Sequence, residues 1–274
     1  MGINVGDPPL LALGAEEIHL WLAFHDDHGD PELHGAYRRL LDGAEMAQES
    51  RFHFAKDRVR YLVTRALVRT VLSRYVPVAP ADWVFSVNAY GRPAIVNAAA
   101  IAAGLQFNLS HAPNLIVLGV AVRRALGVDV ENLARRAAPI EVADRYFAAQ
   151  EVADLAAVAP DERQYRFFEY WTFKESYIKA RGMGLSLPLD QFGFHYADDF
   201  SVALSIDPVL ADDPTRWQFW QFQPAAEYLV AVCAERTTPA ARLLARRIVP
   251  MVSDAEMLLR PLRISHAGVA IECH

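Results

Sequence analysis

Ile18, Leu20, Leu22 and Phe24 alternate with His19, Trp21 and Ala23. A period of two predicts a strand over 18–24. Asp26 to Pro31 is loop chemistry. The period changes over 51–75, where Val59, Leu62, Val63, Ala66, Leu67, Thr70 and Val71 follow i, i+3, i+4 spacing. That spacing predicts a long helix with one core face. Arg58, Tyr61, Arg65 and Arg69 fall on another face. A short strand is predicted over 84–87, then a turn at Tyr90-Gly91-Arg92-Pro93 with a basic residue at its tip. Two β-prone runs, 115–122 and 126–130, are separated by Arg123-Arg124-Ala125 and predict an antiparallel hairpin, although the expected turn glycine is missing.

Helical patterns return over 139–147, 150–158 and about 162–181. Gly182 and Gly184 end the last one and Pro188 bars its resumption. Short strands are predicted over 192–195, 202–206, 217–222 and 228–234. The run 228–234 mirrors 115–121, and each half shows a long helix followed by strands. The pattern points to a pseudo-duplication joined near residue 125, dividing the chain into 1–125 and 126–236. Residues 237–274 read as a tail, with a short basic amphipathic helix over 240–249.

Composition narrows the function classes. Of 274 residues, 53% are apolar, enough for a substantial core. The net charge of -6 argues against bulk polyanion binding, so nucleic acid is not the expected partner. Any phosphate site must be local. One local excess stands out: residues 51–74 hold Arg51, Lys56, Arg58, Arg60, Arg65, Arg69 and Arg74 against the single acid Asp57. Such a run is often only a solvated face. The two cysteines, Cys233 and Cys273, make neither a disulfide framework nor a zinc spacing. The expected location is the cytoplasm. No signal-peptide pattern and no membrane-length apolar run is found, so no membrane role is expected.

Candidate chemistry lies in two stretches. Gly127-Val128-Asp129-Val130-Glu131-Asn132 puts two carboxylates on one face of a strand, with the valines on the other. Trp171 to Ala180 carries Lys174, Glu175 and Lys179 on a helix. Neighbouring carboxylates repel unless solvated or bridged by a cation. Magnesium prefers an oxygen shell of a few carboxylates, waters and phosphates, which Asp129, Glu131 and Glu175 fit. The plainer readings are an acidic strand edge and a surface Glu175–Lys179 pair at i, i+4. Ser110-His111 precedes a strand, where a hydroxyl and an imidazole can hold a phosphate or move a proton.

These residues, in this order, resemble the surfactin-type 4'-phosphopantetheinyl transferases. The resemblance spans about 18–235. It includes Arg51-Phe52 and the basic helix to Arg69, Gly91-Arg92-Pro93, Asn108-Leu109-Ser110-His111, the Asp129/Glu131 stretch, Phe147 with Glu151, Trp171-Thr172-Phe173-Lys174-Glu175-Ser176, Lys179, and the run from Gly182 to Leu189. It implies two α+β halves with coenzyme A in the cleft between them. It also implies transfer of the phosphopantetheine arm to a serine of an apo acyl or peptidyl carrier protein, releasing adenosine 3',5'-bisphosphate. Such carriers serve fatty-acid, polyketide and nonribosomal-peptide synthesis. By resemblance, Asp129, Glu131 and Glu175 hold magnesium. Lys179 and His111 contact the phosphates, Ser110 and Arg92 surround the nucleotide, and Glu175 is the candidate base, directly or through water. Arg65 and Lys174 are further coenzyme A contacts. Some members carry lysines where Glu45 and Gln48 stand here, so that phosphate contact must come from elsewhere, with Arg51 and Arg58 as candidates. Tyr61 stands where some place a threonine. A chain holding both halves is expected to work as a monomer. The alternative is an inactive relative that only binds carrier proteins.

Overall fold

The computed structural model describes residues 10–134, 138 and 140–265. The first half opens with β1 (Glu17–Phe24), then α1 (Pro31–Arg38), α2 (Gly43–Ser50) and the long helix α3 (Ala55–Leu72). A small hairpin of β2 (Phe85–Val87) and β3 (Pro93–Ile95) follows, then α4 (Ala98–Ala103) and a long hairpin of β4 (Leu105–Ala112) and β5 (Leu115–Val122). The second half repeats this plan. It runs β6 (Leu126–Asn132), α5 (Ala143–Tyr146), α6 (Ala149–Ala157) and the long helix α7 (Arg163–Arg181). A small hairpin of β7 (Phe192–His195) and β8 (Ala203–Ile206) then precedes a long one of β9 (Trp217–Ala225) and β10 (Tyr228–Glu235). The last strands are β11 (Arg242–Val249), β12 (Ser253–Met257) and β13 (Pro261–Ile264).

The sheet orders make the repeat explicit. One sheet runs β12-β11-β1-β5-β4 and the other β13-β9-β10-β6. Within them, β1-β5-β4 and β6-β10-β9 share one connectivity. The fold is therefore α+β with two similar halves, as expected. Three apolar clusters layer it. One lies between α3 and the first sheet, around Trp21, Leu67 and Leu118. A second lies between α7 and the other sheet, around Phe173, Tyr177 and Phe219. The third, with Leu20, Val117, Val128 and Val230, joins the two sheets.

The 115–122 run pairs with 105–112 and β1, not with 126–130. Pro113-Asn114 turns the β4–β5 hairpin, with Asn114 at φ 65°. Both edges of β5 are then filled, so β6 joins the other sheet against β10. The helices α1 and α2 follow the loop at 26–31, over residues where the sequence pattern predicts no element. The predicted helix over 240–249 is a strand: β11 lies parallel to β1, and Leu243 and Ala245 turn into the layer between the sheets. With β13 paired to β9, the stretch read as a tail contributes to both sheets through residue 264. Among the described residues, no helix is long and apolar enough to cross a membrane.

Candidate active site

The site forms where β4, the edge of one sheet, meets β6, the edge of the other. The Asn108 side chain accepts the Val128 amide at 2.8 Å and so bridges the two edges. On β6, Val128 and Val130 enter the layer between the sheets, while Gly127 lies against α7. A Cβ at Gly127 would collide with the Ser176 carbonyl and the Ala180 amide. Glycine is thus what lets the strand and helix approach. Asp129 and Glu131 follow at two-residue steps and share that face.

Lys179 organises the centre. Its ammonium donates to Asp129 Oδ1 at 2.6 Å and to Ser110 Oγ at 2.9 Å, and Ser110 donates to the same Oδ1 at 3.0 Å. In place of the plainer reading, a surface pair with Glu175, Lys179 bonds Asp129 of its own half and Ser110 of the other. Asp129 is buried, and its Oδ2 has no protein partner. Burial, then the Asp129 charge, raises the Glu175 carboxyl to about 7, with Lys179 opposing. Burial and Asp129 likewise raise Glu131 to about 7; Glu175 adds to this, while Lys179 and a hydrogen bond from Trp171 oppose it. The three carboxylates therefore feel one another. Among the described residues, no three acids, histidines or cysteines stand close enough to form a ready metal cage. The donor set still suits a hard cation: one oxygen is orphaned and buried, and burial with the Asp129 charge holds two neighbouring carboxyls back from ionising.

The cleft beside this centre is lined from both halves, by Tyr90, Arg92 and Asn108 on one side and Glu175, Lys179 and Gly184 on the other. His111 stands on β4. Desolvation by its neighbours holds its pKa below the ordinary histidine value; Arg60 and Lys179 add to this and Asp129 opposes it. Arg51 is exposed and reaches Gln48, Arg58 donates to the Phe52 carbonyl, and Arg65 lies over the Tyr61 ring.

One expected contact needs correction. Lys174 is fully buried, 2.7 Å from Glu151, and donates to the Leu189 and Phe192 carbonyls. It has no donor left for coenzyme A. Adjacent helical residues point to different faces, so Glu175 turns to the cleft while Lys174 turns to the core. The two Nη atoms of Arg92 donate to the Lys179, Ala180 and Leu126 carbonyls. Glu45, where some family members carry lysine, is bound to the buried Arg69 at 2.7 Å. Sequence reading missed Asn88, whose side chain reaches the Gly182 carbonyl at 3.0 Å. Its place three residues before a turn glycine was the available signal.

Comparison with known proteins decides the family. Residues 125–233 match the 4'-phosphopantetheinyl transferase superfamily, and residues 30–123 match a family described as 4'-phosphopantetheinyl transferase, N-terminal. The chain belongs to the 4'-phosphopantetheinyl transferase superfamily. It is 30% identical over 226 residues to the 4'-phosphopantetheinyl transferase HetI of Nostoc sp., covering 82% of this chain and 90% of that one. It is 33% identical over 184 residues to the 4'-phosphopantetheinyl transferase Sfp of Bacillus subtilis, covering 67% and 77%. A second 4'-phosphopantetheinyl transferase of Bacillus subtilis is 34% identical, with the same coverage. The matched regions fall on the two halves, and the centre around Lys179 lies between them.

Proposed function

We propose that the protein transfers the 4'-phosphopantetheine arm of coenzyme A to a serine hydroxyl of an apo acyl or peptidyl carrier protein, releasing adenosine 3',5'-bisphosphate. Superfamily membership supports the reaction class. Within the molecule, one observation carries it: the buried, half-unpartnered Asp129 sits in an acidic group beside Lys179, at a cleft lined from both halves.

In this reading Asp129, Glu131 and Glu175 would hold magnesium. When bound, the cation neutralises charge that builds on the departing bisphosphate. Lys179 keeps a fixed positive charge at the same place, and Ser110 orients it. His111 faces the nucleotide phosphates, with Arg51, Arg58 and Arg65 as the supply of local cations. The carrier serine oxygen bonds to the phosphorus that bears the arm, as the bond from that phosphorus to the bisphosphate breaks. The serine proton must leave. Glu175, raised to about 7, is matched to accept it near neutral pH. Glu175 would be a weaker base if it also held the cation, and would then accept the proton through a water. One chain supplies both sides of the cleft, so the working form is a monomer, acting in the cytoplasm.

The test is intact mass of a panel of apo carriers after incubation with the protein, coenzyme A and magnesium, with an EDTA control. A gain of one phosphopantetheine arm, lost with EDTA, is the expected result. No gain on any carrier, with coenzyme A still bound, would replace the enzyme by a relative that only binds.

A further inference from the structure

The turn between β2 and β3 belongs to the first half, yet two of its side chains reach the second. Asn88 shapes the turn: its Oδ1 accepts from the Tyr90 and Arg92 amides, each at 2.9 Å, and Gly91 adopts φ 82°. Its Nδ2 donates to the Gly182 carbonyl at 3.0 Å. Arg92 Nη1 donates to the Lys179 carbonyl and, at 3.1 Å, to the Ala180 carbonyl. Its Nη2 donates to the Leu126 carbonyl at 3.1 Å.

Each of these acceptors has a meaning. The carbonyls of Lys179, Ala180 and Gly182 close α7, where the helix has no donors of its own left. That end also carries the negative pole of the helix, which a guanidinium complements. Leu126 begins β6, three residues before Asp129. A single side chain of the first half therefore ties the end of the helix bearing Glu175 and Lys179 to the start of the strand bearing Asp129 and Glu131. Gly182 leaves room for it: a Cβ there would stand 3.2 Å from Nη1 and 3.3 Å from Cδ of Arg92.

We propose that Arg92 is a positioning residue: it sets the spacing and register of Lys179 against Asp129 and is not a phosphate contact of coenzyme A. This rests on the transferase reading above. Turning the guanidinium to a phosphate would strip carbonyls on two elements of their donor. A lysine, with one compact ammonium, does not reproduce a planar fork that reaches α7 and β6 together.

The test compares Arg92→Lys, Arg92→Ala and Asn88→Ala with the unaltered protein in two assays. One is calorimetric binding of adenosine 3',5'-bisphosphate, read as affinity and stoichiometry. The other is steady-state transfer to a carrier that the unaltered protein modifies. Both Arg92 variants are expected to bind the bisphosphate with unchanged affinity and full stoichiometry. Their kcat falls about a hundredfold, as for a small misplacement of reacting groups, with KM for coenzyme A little changed. Asn88→Ala moves in the same direction, less far. Added guanidinium ion restores part of the Arg92→Ala rate and does nothing for the unaltered protein. Lost affinity with kcat intact would make Arg92 a phosphate contact and overturn the proposal. A stoichiometry that falls in step with kcat would reduce Arg92 to a fold-stabilising residue and overturn it too. If the unaltered protein neither binds nor transfers, the proposed function fails on its own. The clamp is then read by amide hydrogen exchange over 179–184, and unchanged exchange in Arg92→Ala would overturn it.

Discussion

β1 in the first half and β6 in the second hold the same place in the repeated frame. Setting Leu115 to Ala121 on Tyr228 to Ala234 aligns the strands they pair with. Trp21, opposite Leu118, then corresponds to Asp129, opposite Ala231; Ala23 corresponds to Glu131 and His19 to Gly127. Trp21 is fully buried, donates to the Tyr75 hydroxyl at 2.8 Å and lies under the guanidinium groups of Arg74 and Arg246. The outer edge of β1 is closed by β11. No strand pairs with the outer edge of β6 among the described residues; it meets β4 through Asn108 instead. One frame thus yields a plugged position and an open one. The chemistry collects where a sheet edge is left free and carboxylates replace the aromatic plug.

Both halves share one lock. Glu45 in the first turn of α2 pairs with the buried Arg69 of α3, and Glu151 in the first turn of α6 pairs with the buried Lys174 of α7. Each cation also bonds carbonyls just before or within the small hairpin and lies over its first aromatic ring, Phe85 or Phe192. The largest expected effect tests this likeness. Lys174→Met and Arg69→Met each remove the buried cation from a buried carboxylate and should cost about 3–5 kcal/mol of stability in urea unfolding, less for Arg69→Met, where Arg65 still faces Glu45. The folded Lys174 variant should keep its affinity for coenzyme A. Full stability with lost affinity would return Lys174 to the binding site and break the comparison.

Next in size is the difference at the open position. Asp129→Ala should lower turnover about a hundredfold or more while the melting midpoint holds, as for removal of a group that stabilises transition-state charge. Transfer retained at saturating magnesium would sink the assignment of Asp129.

Much of this was legible in the sequence, for reasons that separate the successes from the misses. The long helices carry a sustained 3.6 period, and the second also carries a terminal glycine: Gly182 does adopt φ 68° at the end of α7. The spacing Gly127, Asp129, Glu131 is a strand period, and a strand period fixes a face. Lys174 misled because a motif read as a string puts it beside Glu175, whereas helix geometry turns the two apart. The pairing of 115–122 with 126–130 misled because nearness in sequence was weighed above the missing turn glycine. β11 was illegible for a deeper reason. Its partner β1 lies more than two hundred residues away, and strand formation there depends on that edge and not on local period.

A smaller effect comes from the approach of β6 to α7. Gly127→Ala pushes a methyl into the Ser176 carbonyl and should cost about 1–3 kcal/mol, with turnover falling as Asp129 moves from Lys179. His19→Ala, at the matching place in β1, removes atoms instead of adding them and should leave turnover untouched. Equal loss of turnover in both would mean that the two positions are not differently used.

The smallest effect has opposite signs in the two halves. In the first half, burial holds the His28 imidazole at about 4, below its ordinary 6.5. Above pH 6.5 both folded and unfolded chains leave it neutral. Below that value the unfolded chain takes a proton that the fold refuses, so stability is lost as pH falls through 6.5 towards about 4. In the second half, Glu131 and Glu175 are raised to about 7 from an ordinary 4.5. The fold holds those protons more tightly, so their contribution is full below 4.5 and is lost as pH rises through about 7. Urea midpoints across this range should show His28→Gln removing a loss on the acid side and Glu131→Gln removing one on the neutral side. Magnesium should then raise the midpoint of the unaltered protein more at pH 8 than at pH 5, because it supplies the charge that the carboxylates lack only once they ionise. A magnesium effect of equal size at both values, or one that survives in Glu131→Gln, would detach the acidic group from the metal and leave the open position without its proposed use.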